Sequence, residues 1–181
     1  MKKLPGDYIA GFVDGEGCFA LKFRRDVRHE RKNQPVYFYW DIEFAITLRG
    51  DDLEILKDIQ NTLECGKISI NINKRNMARF SVNKIEDLSD KIIPFFKQHH
   101  LRAKKKEDFK LWKEAVYIMY KNKGLATNIS TTGNPRGKRK IFWPIEELLR
   151  LEKIHKEMKG YKSTRGEWKW INQIENLSVT K

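Results

Sequence analysis

The sequence predicts an α+β fold in which one antiparallel sheet is backed by helices and followed by a helical segment. Four stretches alternate apolar and polar residues with the period of two that is typical of strands with one buried face. The stretches around them carry apolar residues at the helical period of 3.6. Strands of this kind form antiparallel sheets with helices on one side, and their order here is α-β-β-α-β-β-α-α. A chain of 181 residues with 40% hydrophobic residues can bury one such core.

The first three elements follow from the N-terminal quarter. Pro5 suits a first helical turn, and Gly15 is predicted to end that helix in the left-handed conformation. Between them, apolar residues at helical spacing form one face. Two alternating strands follow, at residues 18–28 and 37–49.

The later elements are predicted in the same way. Asp51 and Glu54 resemble an acidic capping box that opens a helix to Leu63. A hairpin with its tip at residues 74–76 follows, and Pro94 is expected to end the next helix. The last three segments are a helix at about residues 103–121, a basic loop at 122–140 and an amphipathic helix at 146–159. We expect a core at residues 1–122, with residues 123–181 forming the loop, helix and tail packed on it.

The net charge of the chain indicates which class of partner it binds. The chain has 37 Lys and Arg against 24 Asp and Glu, a formal net charge of +13, which favours nucleic acid or an anionic membrane surface. No apolar run reaches the ~18 residues of a membrane span, and no apolar stretch follows the N-terminal lysines, so we expect an intracellular protein without a membrane partner. Cys18 and Cys65 cannot form a disulfide framework or a zinc ligand set, and we expect both to be small buried residues.

The polar face of the predicted sheet combines cations with amides and hydroxyls. Cations bind phosphates and guanine, amides bind adenine and hydroxyls bind either, so this mixture suits base recognition in the major groove. An ordinary solvated face is the alternative. The side chains concerned are Lys22, Arg24, Arg28, Tyr37, Tyr39, Lys67, Asn71, Asn73, Arg79 and Ser81. Loop cations such as Arg139 contact backbone phosphates or are merely solvated, and the sequence leaves both open.

Two further groups carry weaker signals. Cations at residues 102–106 oppose the dipole of the helix that they open, which favours an anionic ligand over a solvated helix start. His99 and His100 are weak evidence for a metal site, and surface histidines are the better interpretation.

The segment from Tyr8 to Phe19, YIAGFVDGEGCF, carries the most specific signal. Gly11 and Gly15 lie four residues apart, which lets a second helix approach closely. If two copies pack in this way, two Glu16 carboxylates arrive side by side and need a cation between them. Oxygen ligands of this kind suit Mg²⁺, which can activate water for phosphodiester cleavage.

This segment resembles the LAGLIDADG motif of homing endonucleases, and the resemblance covers residues 4–122. It implies the αββαββα fold of that family, with Glu16 and the Gly15 carbonyl binding Mg²⁺ or another divalent cation such as Mn²⁺. It also implies Glu16 and Lys104 as catalytic residues, with Lys106 as the fallback. The implied dimer interface is Ala10, Gly11, Asp14 and Gly15, with Asp14 in a structural role, capping or bracing that interface. The DNA-binding face then also includes Ala20, Asp26, Asp41 and Ser69.

The sequence contains one motif, and single-motif members of the family form homodimers. We therefore predict a homodimer that binds double-stranded DNA and makes metal-dependent double-strand cuts in a pseudo-palindromic target. Leu48 stands where some members carry a glutamine, so Thr47 or Arg49 substitutes or the site lacks that group. The alternatives are an intron RNA maturase, with host intron RNA as a partner, and a catalytically silent DNA-binding regulator. An organelle or a bacterial or archaeal cytoplasm fits the composition.

Overall fold

A computed structural model describes residues 2–32, 34, 36–71, 76–125 and 143–160. Its elements, in chain order, are α1 (Gly6–Glu16), β1 (Gly17–Val27), β2 (Val36–Arg49), α2 (Leu53–Leu63), β3 (Lys67–Asn71), β4 (Met77–Val82), α3 (Ile85–Asp87), α4 (Ile93–Gln98), α5 (Lys105–Lys121) and α6 (Ile145–Gly160). None of the described helices is both long and apolar enough to cross a membrane.

The four strands form one antiparallel sheet in the order β1-β2-β4-β3. In the register of β2 and β4, Phe44 lies opposite Val82 and Thr47 lies opposite Arg79. Because side chains alternate along each strand, this register places the apolar residues on one face and Thr47 with Arg79 on the other. The predicted α+β class and element order are confirmed.

Packing divides the chain into two compact units, the first formed by Met1–Ala20 with Ile42–Tyr120 and the second by Leu21–Asp41 with Lys121–Lys181. In the first unit, Phe19 centres an aromatic cluster, with ring centroids 5.2 Å from Phe44 and 5.1 Å from Trp112. In the second unit, Trp40 packs against Phe23 at 4.9 Å and against His155 of α6 at 5.5 Å. The division predicted at residue 122 stays a prediction.

The end of α1 differs from the prediction. Gly15 lies inside the helix, which runs to Glu16, and Gly17 follows in extended conformation with φ of −73°. A Cβ on Gly17 would lie 2.8 Å from the Val13 carbonyl oxygen, so the close approach of strand to helix requires glycine there. The left-handed stop at Gly15 is therefore wrong, and the glycine that this junction needs is Gly17.

Three other expectations are wrong. Asp51 does not cap α2, because its carboxylate accepts two hydrogen bonds from the Arg49 guanidinium, at 3.1 and 2.8 Å. Pro94 does not end its helix, because the π-helical turn Leu88–Ile92 precedes it and α4 continues to Gln98. A π turn changes the pairing of the carbonyls with which a proline ring would otherwise clash. Cys18 is exposed rather than buried.

Candidate functional site

Two glycines and the exposed residue Tyr8 form one face of α1. Cβ atoms built on Gly11 and Gly15 would meet no heavy atom within 4 Å, and Tyr8, one turn earlier, is 49% exposed. Ile9 and Val13 are fully buried on the opposite side. At Gly11 and Gly15, α1 therefore presents an exposed surface that another helix can approach closely.

The four predicted interface residues divide into two pairs. Gly11 and Gly15 lie on the exposed face, and their place in a dimer interface stays a prediction. Ala10 is only 3% exposed and belongs to the core of its own chain. Asp14 turns toward α5 instead, so neither Ala10 nor Asp14 contributes to that face. The sequence interpretation missed Tyr8, although it lies three residues before Gly11 and hence on the same side of the helix.

Asp14 joins the end of α1 to the start of α5. Its Oδ2 accepts hydrogen bonds from the backbone N–H groups of Arg102, at 2.7 Å, and Ala103, at 3.2 Å. The Lys105 ammonium donates to the backbone carbonyls of Asp14, at 3.1 Å, and Gly15, at 3.0 Å. The two segments are thus joined by reciprocal hydrogen bonds, in which the Asp14 carboxylate binds backbone amides at the start of α5 and the Lys105 ammonium binds backbone carbonyls at the end of α1.

The lysine brought to the motif is Lys105, whereas sequence reasoning favoured Lys104 or Lys106. Lys104 and Lys106 are exposed, and no described residue forms an ion pair with either. Lys105 is half-buried. The helical period could have identified Lys105 from the sequence, because it lies four residues before Phe109 and seven before Trp112, on the buried side of α5.

Glu16 ends α1 with its carboxylate exposed. Within the described ranges, no side chain or backbone group pairs with that carboxylate, so it is available as a ligand. The Gly15 carbonyl beside it already accepts a cationic donor, Lys105. One carboxylate and one carbonyl are hard oxygen donors that fit Mg²⁺ or Mn²⁺. Among the described residues, no cluster of three His, Cys, Asp or Glu side chains is suited to a metal.

Leu48 and its neighbours can now be placed. Leu48 lies opposite Ala78, on the sheet face that carries Phe44 and Ile46. Thr47 and Arg49 point to the other face, but both are engaged: Thr47 Oγ1 accepts from Arg79 at 2.8 Å, and Arg49 pairs with Asp51.

In the first unit, the polar sheet face is organised around Arg79. Its guanidinium donates to Glu43 at 2.8 Å and to Thr47. Ser81 is only 4% exposed, so it cannot contact a partner at the surface in this conformation. Ala20 is half-buried. The exposed predicted residues here are Lys67, Ser69 and Asn71.

In the second unit, two arginines, one in β1 and one directly after its end, each form an ion pair with an aspartate. Arg24 pairs with Asp41 at 2.7 Å, and Arg28 pairs with Asp26 at 3.1 Å. Tyr39 is 41% exposed beside them, and Lys22 is half-buried. The predicted contacts from Asn73 and Arg139, and from the side chain of Tyr37, lie outside the described residues. Surface pairs of this kind contribute little to stability, so breaking them costs little free energy.

The sequence profile of the LAGLIDADG endonucleases matches residues 9–116, more than half of the chain. The chain belongs to the LAGLIDADG endonuclease family. Endonucleases of this family depend on divalent metal ions in general. A similar protein is a probable intron-encoded DNA endonuclease 1 of Mycosarcoma maydis, 31% identical over 104 residues. That alignment covers 58% of this chain and 34% of the relative, so the chain spans about a third of the relative's length.

Two solved structures of homing endonucleases share the fold. I-TnaI superposes with a TM-score of 0.69 at 23% identity, over 97% of this chain and 99% of its own. The LAGLIDADG homing endonuclease I-LtrWI, solved bound to target DNA, superposes with a TM-score of 0.64 at 22% identity. That match covers 87% of this chain but 45% of I-LtrWI. These structures confirm the expected fold, and the profile match confirms the family assignment expected from the motif.

Proposed function

We propose that this chain is a site-specific DNA endonuclease that acts as a homodimer and makes metal-dependent double-strand cuts in a pseudo-palindromic target. The observation that carries the proposal is the end of α1, where an exposed carboxylate with no described partner adjoins an exposed face of two glycines. This is the arrangement that two copies need in order to bring their Glu16 residues together.

The dimer follows from the incompleteness of one subunit's site. A single Glu16 and one carbonyl provide too few ligands for a divalent ion, whereas two motif helices in contact provide twice as many. A symmetric dimer would read a target with matching symmetry.

The position of each candidate site residue suggests a role in binding the metal, the cleaved phosphate or the bases. Glu16 and the Gly15 carbonyl would hold the divalent cation, which when bound lowers the pKa of water and stabilises charge on the phosphate. Lys105, rather than Lys104, would supply a positive charge close to the cleaved phosphate. Arg24 and Arg79 would contact bases from the sheet, after releasing the acids that they pair with in the free protein.

The test is cleavage by a Glu16→Gln variant, after the target has been selected from randomised duplexes with the wild-type protein and Mg²⁺. The amide keeps the shape but loses the charge, so cleavage should fall at least 100-fold while sequence-specific binding stays within about threefold. Glu107→Gln, which neutralises an exposed acid on α5, is the matched control and should cleave like the wild type. Full cleavage by Glu16→Gln would refute the proposal.

The same experiment separates the rival functions. A wild-type protein that binds a specific duplex without cutting it would indicate a silent regulator. Binding of host intron RNA, and the organelle or prokaryotic compartment, stay predictions.

A further inference from the structure

The carboxyl end of α1 already carries a cation. The ammonium of Lys105 lies 3.1 Å from the Asp14 carbonyl oxygen and 3.0 Å from that of Gly15. The last carbonyls of a helix lack intrahelical donors and form its negative end. An ammonium at this end supplies the missing hydrogen bonds and balances the negative charge. This also explains a lysine at the start of α5, where the dipole of α5 itself would disfavour it.

The position of Lys105 is fixed by Asp14. Asp14 accepts hydrogen bonds from the amides of Arg102 and Ala103, just two and three residues before the lysine. These bonds hold the first turn of α5 against the last turn of α1. Its other oxygen, Oδ1, is buried and has no hydrogen-bond partner in the described part of the chain.

We propose that Lys105 is an internal counter-cation that occupies the Gly15 carbonyl in the metal-free chain and leaves it when a divalent cation binds at Glu16. The proposal rests on the proposed function, which makes Glu16 and the Gly15 carbonyl the metal ligands. An ammonium and a divalent ion on one carbonyl oxygen repel each other strongly at such short range. Metal binding therefore competes with the hydrogen bonds of Lys105.

Displacement has a consequence for cleavage. A long flexible ammonium that leaves the carbonyls remains anchored at the start of α5, next to the metal ligands. It is then free to contact a phosphate oxygen of bound DNA. Lys105 would thus reach the phosphate only after the metal has taken its place, so the active site is completed in that order.

The experiment is Mn²⁺ titration in the absence of DNA, with free Mn²⁺ measured by electron paramagnetic resonance. Lys105→Met keeps the length of the side chain but removes its charge and donors. Its Mn²⁺ affinity should rise about three- to tenfold, the range set by the net free energy of one typical competing hydrogen bond. Lys104→Met and Lys106→Met remove the same charge from adjacent exposed positions and should change affinity less than twofold. Lys105→Arg retains the charge and should stay near the wild type.

A second measurement, of thermal stability, distinguishes displacement of Lys105 by the metal from a general loss of stability in the variant. Without metal, Lys105→Met should lower the thermal midpoint by about 2–4 °C because it loses both carbonyl bonds, whereas the two control variants should not. Weaker stability combined with tighter metal binding is a signature that a purely structural lysine does not produce. Equal Mn²⁺ affinity in all three Lys→Met variants, or weaker or undetectable binding by Lys105→Met, would overturn the inference.

The outcome for Glu16 separates this inference from the proposed function. If Glu16→Gln loses Mn²⁺ binding while Lys105→Met behaves like the controls, the metal site stands and only the counter-cation role fails. If Glu16→Gln retains both Mn²⁺ binding and cleavage, the proposed function itself fails.

Discussion

A leucine at Gly11 is expected to separate the two copies of the chain without harming either. A Cβ at this position meets no heavy atom within 4 Å, so the larger side chain causes no clash inside its own subunit. Leucine favours the helix over glycine by about 0.5–1 kcal/mol, so the monomer should become slightly more stable. Between subunits, the same side chain fills the gap through which two helices would approach, and the packing across that gap is lost.

We expect the dimer dissociation constant of Gly11→Leu to rise at least tenfold, which corresponds to about 1.4 kcal/mol, and cleavage to fall in proportion. Sedimentation equilibrium measures the first effect and urea unfolding measures the change in monomer stability. Lys110→Leu places the same side chain on the exposed face of α5 and is the matched control. Unchanged dimerisation and cleavage in Gly11→Leu would show that this face of α1 is not the interface.

Three further predictions concern other parts of the chain. Arg79→Ala should reduce discrimination at one symmetric pair of target positions by about 1–3 kcal/mol in competition binding, whereas uniform weakening on all sequences would mean that Arg79 contacts only phosphates. The Lys121 ammonium first, and the Asn122 amide with it, hold the pKa of Glu147 below its usual value against the opposing effect of burial. The Glu147 carboxylate should therefore stabilise the folded chain at pH values above the pKa of an unfolded glutamate, and this contribution should be lost as the pH falls through its folded pKa. In urea unfolding between pH 7 and 3, the free energy of unfolding of Glu147→Gln should then depend less on pH than that of the wild type. An equal pH dependence in the two proteins would contradict this prediction. Cys18 is exposed while burial raises the pKa of the Cys65 thiol to about 11, so a thiol reagent at pH 8 should label Cys18 first, and faster labelling of Cys65 would contradict the structure.

The fold was predictable because its signals are local and periodic. Alternate residues of β1 and β2 are apolar, as in strands with one buried face, and the structure buries Phe19, Leu21, Phe38, Trp40, Ile42, Phe44 and Ile46. The errors occurred where one residue's preference was overridden by its surroundings. Pro94 normally ends a helix, but a π turn preceding it accommodates the ring. Asp51 suits a cap, but the arginine two residues earlier is a stronger partner for its carboxylate.

The candidate site was predictable only in part. The spacing of Gly11, Gly15 and Glu16 depends on one helix, so sequence alone located the exposed face and the carboxylate. The helical period places Lys105 on the buried side of α5, but its contact with α1 depends on Asp14 and a segment 88 residues later, which no local pattern encodes. For the same reason, the ion pairs of Arg24 and Arg79 on the sheet were not foreseen. These pairs connect neighbouring strands, and their partners become evident only once the strands are aligned.

The central claim is that the Glu16 residues of two copies meet to bind the metal that cuts DNA. A crystal structure of the protein with its uncut target and Mn²⁺ tests this directly, because Mn²⁺ can be located by its anomalous scattering. We predict Mn²⁺ about 2.0–2.3 Å from Glu16 carboxylate oxygens, beside the Gly15 carbonyl, with the Gly11 and Gly15 faces of the two α1 helices in contact. Mn²⁺ bound away from Glu16, or α1 helices that do not touch, would contradict the account.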